Sequence, residues 1–180
     1  MATLYTIGHG ARGTEEFIAL LGETGIERLI DVRAVPRSRR HPHFGYGPLG
    51  ARLQAAGIGY EWRGRFLGGM RRGGDSGRHP ALAEPAFRAY AEYMESATFA
   101  AGAQELIDHA RAECVCFMCA ERDPRRCHRS LIADWLAARG HRVVHLLAAG
   151  ESVEHLVNAA VRIEDGVLHY VLGGPQMNLF

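Results

Sequence analysis

Between positions 119 and 129 the chain reads Cys-Ala-Glu-Arg-Asp-Pro-Arg-Arg-Cys-His-Arg. Two thiols, an imidazole, carboxylates and guanidinium groups crowd together there, a mixture that a plain scaffold does not need. Asp123-Pro124 has the form of a helix start. Cys127 and His128 are therefore expected in the first turn of that helix, where free amides and the macrodipole favour negative charge. Arg125, Arg126 and Arg129 add to the positive field. A thiol so placed ionises readily, which nucleophilic and redox chemistry both require. The bland alternative for Cys127 is a small buried residue under the helix. Cys114 and Cys116, in mid-strand, read that way outright.

Other reactive groups fall where apolar runs end. Leu4 to Gly8 runs into Gly8-His9-Gly10, and Arg28 to Val32 ends on Asp31-Val32-Arg33. Ligands of open parallel sheets bind beyond the carboxyl ends of the strands, so these groups are expected to meet Cys119–Arg129 at one edge. His9, Glu121, Cys119, Cys127 and His128 are the catalytic candidates. Asp31, Arg33, Arg37, Arg39, Arg122 and Arg129 are the substrate-binding candidates, Asp31 as an orienting carboxylate and the arginines as the clamp on phosphate or carboxylate, bidentate where geometry allows.

Three chemistries compete for this set. Cys119 and Arg125 match the Cys-x5-Arg spacing of thiol phosphatases, yet the segment lacks loop glycines and puts Glu121 and Asp123 where amides should face phosphate. A metal at Cys119, Cys127 and His128, with His9 nearby, is the second. Its Cys-x7-Cys-His spacing differs from common zinc patterns, and three neighbouring arginines weigh against a cation. An anion or nucleotide pocket is the third. No cofactor is predicted, and a metal at Cys119/Cys127/His128 stands as the lesser alternative.

Composition sets the bounds. The chain has 180 residues, 47% hydrophobic and 23% charged, which fits one soluble globular domain over 1–180. Its 21 basic residues are all arginine, against 20 acidic ones, for a net charge of +1. That balance excludes a generally basic nucleic-acid coat protein. The absence of lysine excludes Schiff-base chemistry, a P-loop lysine and pyridoxal anchoring. Met1 to Ile7 lacks the charged start and long apolar core of a signal peptide, and no apolar run is long enough to span a bilayer. The four cysteines lie between 114 and 127 and cannot staple the whole chain. A reduced, cytoplasmic setting without a membrane partner is expected.

Arg33 to Arg78 holds ten arginines against Glu61 and Asp75. Such a run is either a solvated face or an anion-facing cover over a site. With Tyr46, Tyr60, Trp62 and Phe66 as stacking groups, it also fits a nucleic-acid-binding module.

The elements that must position these groups follow from periodicity. A strand at 4–8, a helix capped by Thr14 and stopped by Gly22 or Gly25, and a strand at 28–32 make a parallel crossover unit. A short helix over 48–56, a strand over 58–62 and a long loop over 66–79 follow. Helical stripes include Phe87, Tyr90, Ala91 and Met94, then Ala103, Leu106, Ile107 and Ala110. The 114–119 strand is apolar on both faces, so it is central. A helix from Pro124 to Gly140, a strand at 142–147 and a helix capped by Ser152 come next. Asp165-Gly166 marks a hairpin. The sum is an α/β, three-layer domain with a mostly parallel sheet, plus a C-terminal helix and hairpin over 149–180; strand order and oligomeric state are not legible.

Tyr5-Thr6-Ile7-Gly8-His9, Asp31-Val32-Arg33 with Pro36, Ser38 and Arg39, Leu67-Gly68-Gly69, and Cys119-x-Glu121-x-x-Pro124-x-x-Cys127-His128-Arg129 resemble the domain of unknown function 488 family across about residues 3 to 148. Gly10 departs from the serine that the family more often carries there, which removes one hydroxyl from the site. The resemblance implies an α/β domain and a common site made of His9, Asp31, Arg33, Arg39, Glu121, Cys127, His128 and Arg129. It implies no particular activity. The residues themselves point to an enzyme acting on a phosphate-bearing or nucleotide substrate; the alternatives are a non-catalytic nucleic-acid-binding module and a metal-binding interaction domain.

Overall fold

The computed structural model describes residues 1–173. Position 174 onward, the end of the expected 1–180 domain, lies outside the described residues.

Five strands run parallel: β1 (Thr3–Gly8), β2 (Arg28–Asp31), β3 (Gly59–Trp62), β4 (Val115–Cys119) and β5 (Arg142–Ala148). With the antiparallel edge strand β6 (Glu151–Glu154) they form one sheet in the order β3-β2-β4-β1-β5-β6. β7 (Val161–Glu164) and β8 (Val167–Tyr170) form the separate hairpin expected at Asp165-Gly166. Both turn residues have the positive φ that an Asp-Gly turn requires.

β4 is buried along its whole length. Val115, Phe117 and Cys119 face a core with α4 (Pro85–Met94), α5 (Ala97–Ala112) and α6 (Arg129–Ala137). Cys116 and Met118 face the opposite core, with α1 (Thr14–Glu23) and α2 (Tyr46–Ala55). Alternate side chains thus serve two helical layers, the reason this strand reads as continuously apolar.

Several local expectations need correction. Thr14 opens α1 but does not cap it; Gly13 is the cap and no side chain bonds there. The helix expected over 48–56 is α2, two residues earlier at its start. A single helical turn, α3 (Gly64–Leu67), occupies the start of the expected 66–79 loop. The helix capped by Ser152 does not form: Glu151–Glu154 is strand, and 155–158 has no regular structure. Gly150, at φ +65°, turns the chain straight back onto β5, and pairing along the open edge outweighs the helical spacing of Val153, Leu156 and Val157.

The correction nearest the site concerns 124–128. Pro124–Arg126 forms one 3-10 turn, with Asp123 Oδ1 accepting from the Arg125 amide at 2.9 Å. Cys127 is then extended, His128 is the N-cap, and α6 begins only at Arg129. Cys127 and His128 precede the helix rather than lying in its first turn.

Candidate active site

The parallel register sets Gly8 beside Cys119 and Asp31 beside Met118, so the peptides after β1, β2 and β4 leave the sheet together. They line a cavity of about 760 Å³ at its carboxyl edge. Its wall includes His9, Arg33, Cys119, Glu121, Cys127 and His128. The sequence-derived groups from three strands therefore meet.

Arg33 is the best-built group there. It is 5% exposed, and Asp31, fully buried, grips it through Nε (2.9 Å to Oδ1) and Nη2 (2.6 Å to Oδ2). The Arg33 amide also donates to Asp31 Oδ1. Tyr60 donates its hydroxyl to Asp31 Oδ2 at 2.7 Å, and burial together with that carboxylate pushes the phenol's pKa up. Trp62 Nε1 donates to the Arg33 carbonyl at 2.8 Å. Asp31, backed by Tyr60, thus fixes the guanidinium while Trp62 fixes its backbone, leaving only Nη1 outside the carboxylate fork, 3.5 Å from His9 Nε2.

His9 is 3% exposed and stacked on Phe44, with ring centroids 4.4 Å apart. Its Nδ1–H donates to the Gly10 carbonyl at 2.9 Å, which leaves the Nε2 lone pair toward Arg33. Burial, with Arg33 and His41 adding repulsion, lowers its pKa to about 4. The ring is a neutral base at pH 7. Below it Arg12, unremarked in the sequence reading, is 3% exposed and donates to the carbonyls of Gly8 and Leu147 at the ends of β1 and β5.

The thiols and His128 form the far wall. Cys119, Cys127 and His128 each present a ligand atom, all within 4.8 Å of one another. His128 Nδ1 is 3.7 Å from both sulfurs. Its Nε2–H donates to the Val32 carbonyl at 3.2 Å. Sharing a proton with Cys119, with Arg129 nearby, holds the Cys127 thiol well below its ordinary pKa; the same sharing and burial raise Cys119. Gly69 lies against the imidazole: a Cβ there would come 2.6 Å from His128 Nδ1. Tyr90 and Tyr93 of α4 hold that segment by donating to the carbonyls of Leu67 and Phe66.

The arginines divide. Arg37 lines the pocket, joined by Arg126, read from sequence only as part of the positive field, and by Arg40, which the sequence reading did not single out. These three are exposed and make no ion pair among the described residues. Arg39 is exposed but not part of the lining, and Arg122 opens on a neighbouring cavity of about 830 Å³. Arg129 is 1% exposed and turned into the fold, donating to Thr6 Oγ1 (2.7 Å) and to the Glu121 carbonyl (2.7 Å). It holds the 121–122 loop on β1 rather than facing a ligand.

The arginine-rich run is less charged in place than in sequence. Arg52 pairs with Glu15, Arg63 with Glu61 and Glu105, Arg78 with Glu95, and Arg71 lies over the Tyr93 ring. Of the four aromatics there, Tyr60 and Trp62 have their polar atoms engaged and Phe66 packs on the core. Tyr46 is exposed.

A family model described as Domain of unknown function DUF488 matches residues 13–136, and the chain belongs to that family. The match spans Asp31, Arg33 and the whole Cys119–Arg129 segment; His9 lies just before it. No curated protein and no solved structure matches the chain. Among the described residues, no helix is long and apolar enough to cross a membrane.

Proposed function

We propose that the protein is an enzyme whose carboxyl-edge pocket takes a phosphate-bearing substrate of nucleotide size. One observation carries this reading. A guanidinium locked by a buried carboxylate stands in the wall with Nη1 free of that carboxylate, and Arg37, Arg40 and Arg126 share the cavity. A pre-oriented guanidinium nitrogen outside that ion pair, with further arginines on the same cavity, suits charge-assisted recognition of phosphate. The cavity volume falls in the range of small-molecule sites. Phe87 and Met70 line it too and offer an apolar surface for a ring.

His9 is the acid–base group. Its neutral Nε2 lies beside Arg33, where it can take a proton from a nucleophile while the guanidinium stabilises developing negative charge. Asp31 and Tyr60 position Arg33, and Glu121 stands on the rim. A nucleic-acid-binding module finds less support, because Tyr60 is committed to Asp31 and Phe66 to the core, which leaves only Tyr46 and Trp62 of its four stacking aromatics exposed.

Calorimetric titration at fixed ionic strength tests the reading. Inorganic phosphate and a nucleoside monophosphate are expected to bind, and the matching uncharged nucleoside to bind far more weakly. Arg37→Ala combined with Arg40→Ala should weaken phosphate binding by about tenfold, near 1.4 kcal/mol. Equal affinity for nucleoside and nucleotide, unchanged in that variant, contradicts the proposal.

A further inference from the structure

We infer that Cys119, Cys127 and His128 form a three-ligand site for a thiophilic divalent cation of the zinc class, its fourth position open to the phosphate pocket. The three donors converge on one point. Bond lengths of about 2.3 Å to sulfur and about 2.0–2.1 Å to nitrogen give a tetrahedral sulfur–nitrogen edge of roughly 3.5–3.6 Å. Both edges measure 3.7 Å here.

The imidazole is prepared for this role. Donation of Nε2–H to the Val32 carbonyl fixes the tautomer that leaves the Nδ1 lone pair facing the sulfurs. Histidine ligands of metals almost always anchor their other nitrogen so. Tyr90 packs edge-on against the ring, centroids 4.9 Å apart. Gly69 leaves clear the space a Cβ would take next to Nδ1. Two thiolates with one imidazole select zinc over magnesium or calcium, which want oxygen.

The electrostatic objection from the sequence weakens in three dimensions. Arg125 is 88% exposed and paired with Asp123, while Arg129 spends its terminal nitrogens on Thr6 and the 121–122 carbonyls. The His79, Glu95 and His169 group, also close together, makes a useful contrast. There His79 accepts from the Tyr170 amide at Nδ1 and donates to Glu95 at Nε2, so both nitrogens are engaged.

Three protein donors leave one coordination position, the arrangement of catalytic rather than structural zinc sites. All three ligands line the cavity that holds Arg33, so water or a phosphoryl oxygen is the natural fourth ligand. That identification of the fourth ligand rests on the pocket reading above; the three-donor site does not.

The test uses the full chain, untagged, purified under a phosphine reductant and dialysed against zinc. Elemental analysis is expected to find about one zinc per chain, and cobalt substitution to give thiolate charge-transfer bands with the intense visible bands of four-coordinate cobalt. Cys119→Ala and Cys127→Ala should each lose the ion, while Cys114→Ala keeps it. Should the ligand variants not fold, the cobalt spectrum of the unmodified chain decides alone. Inorganic phosphate added to the cobalt form should shift the visible bands. A folded, reduced chain that binds phosphate but no zinc or cobalt overturns the cation site and leaves the pocket reading standing. Cobalt with thiolate bands that phosphate never perturbs, in a chain that binds no phosphate, retains the site and overturns the pocket reading.

Discussion

Tyr60 acts on the pocket without facing it. Its hydroxyl holds Asp31, Asp31 holds Arg33, and Arg33 presents one nitrogen to the cavity. Asp31 is fully buried and Arg33 nearly so, and such a pair is tolerable only while each remaining lone pair and proton is satisfied. Tyr60→Phe removes one donor from a buried carboxylate and should cost about 1–2 kcal/mol in chemical denaturation. Because the guanidinium then loses its backstop, phosphate affinity should fall as well, whereas a purely structural tyrosine would lower stability alone. Stability loss with unchanged phosphate affinity counts against the positioning role. A sequence cannot reveal this coupling, since Tyr60 and Asp31 meet only when β2 and β3 pair. Arg33 itself was legible, because a charge directly beyond an apolar strand has one place to go.

Between elements, a hydrogen-bonded chain ties α6 to β5 and β1. Tyr170 and His155 donate to Asp134 at 2.8 and 2.9 Å, and His145 donates to His155 at 3.0 Å. Thr6 in turn donates to His145 at 3.1 Å and accepts from Arg129 at 2.7 Å. With His145 neutral, its Nε2–H donates to His155 and its Nδ1 accepts from Thr6, so each contact of that ring is satisfied. Burial, then the neighbouring His155 and Arg129, lowers His145 to about 3. His9, at about 4, is neutral in the fold for the same leading reason. An imidazole in the unfolded chain takes up its proton near pH 6.5. The unfolded state therefore binds more protons from about pH 6.5 down to the folded values, and stability falls as pH falls through that window. Urea unfolding between pH 7 and pH 5 should show a loss approaching 1.4 kcal/mol per pH unit for each buried imidazole. A flat profile over that interval contradicts neutral burial of His9 and His145. This network also explains the failed helix expectation at Ser152. His155 is drawn to Asp134 across the sheet edge, a contact between residues 21 apart in sequence that local periodicity does not register.

In the molecule as a whole, what could be read early was what strand direction alone decides. Buried runs alternating with amphipathic helices require a parallel sheet, and a parallel sheet gathers its strand exits at one edge. His9, Arg33 and Cys119 therefore lie at the same edge, and they meet because β4 stands between β2 and β1. Orientation within that edge was not legible. Arg129 sits in the densest charged motif yet points inward because Thr6 and two loop carbonyls lie beneath it. Arg126, in the same motif, remains in the pocket. The arginine excess over 33–78 is met in part from outside the run, by Glu15, Glu95 and Glu105 on other helices and flanking turns, pairings that local charge counting does not register.

The most direct measurement is a crystal structure of the protein with a bound phosphate or tungstate. The oxyanion is expected within hydrogen-bond reach of Arg33 Nη1, with Arg37, Arg40 or Arg126 completing its shell and His9 Nε2 at its side. An anion found instead beside Arg122 in the neighbouring cavity, with Arg33 Nη1 untouched, contradicts the account.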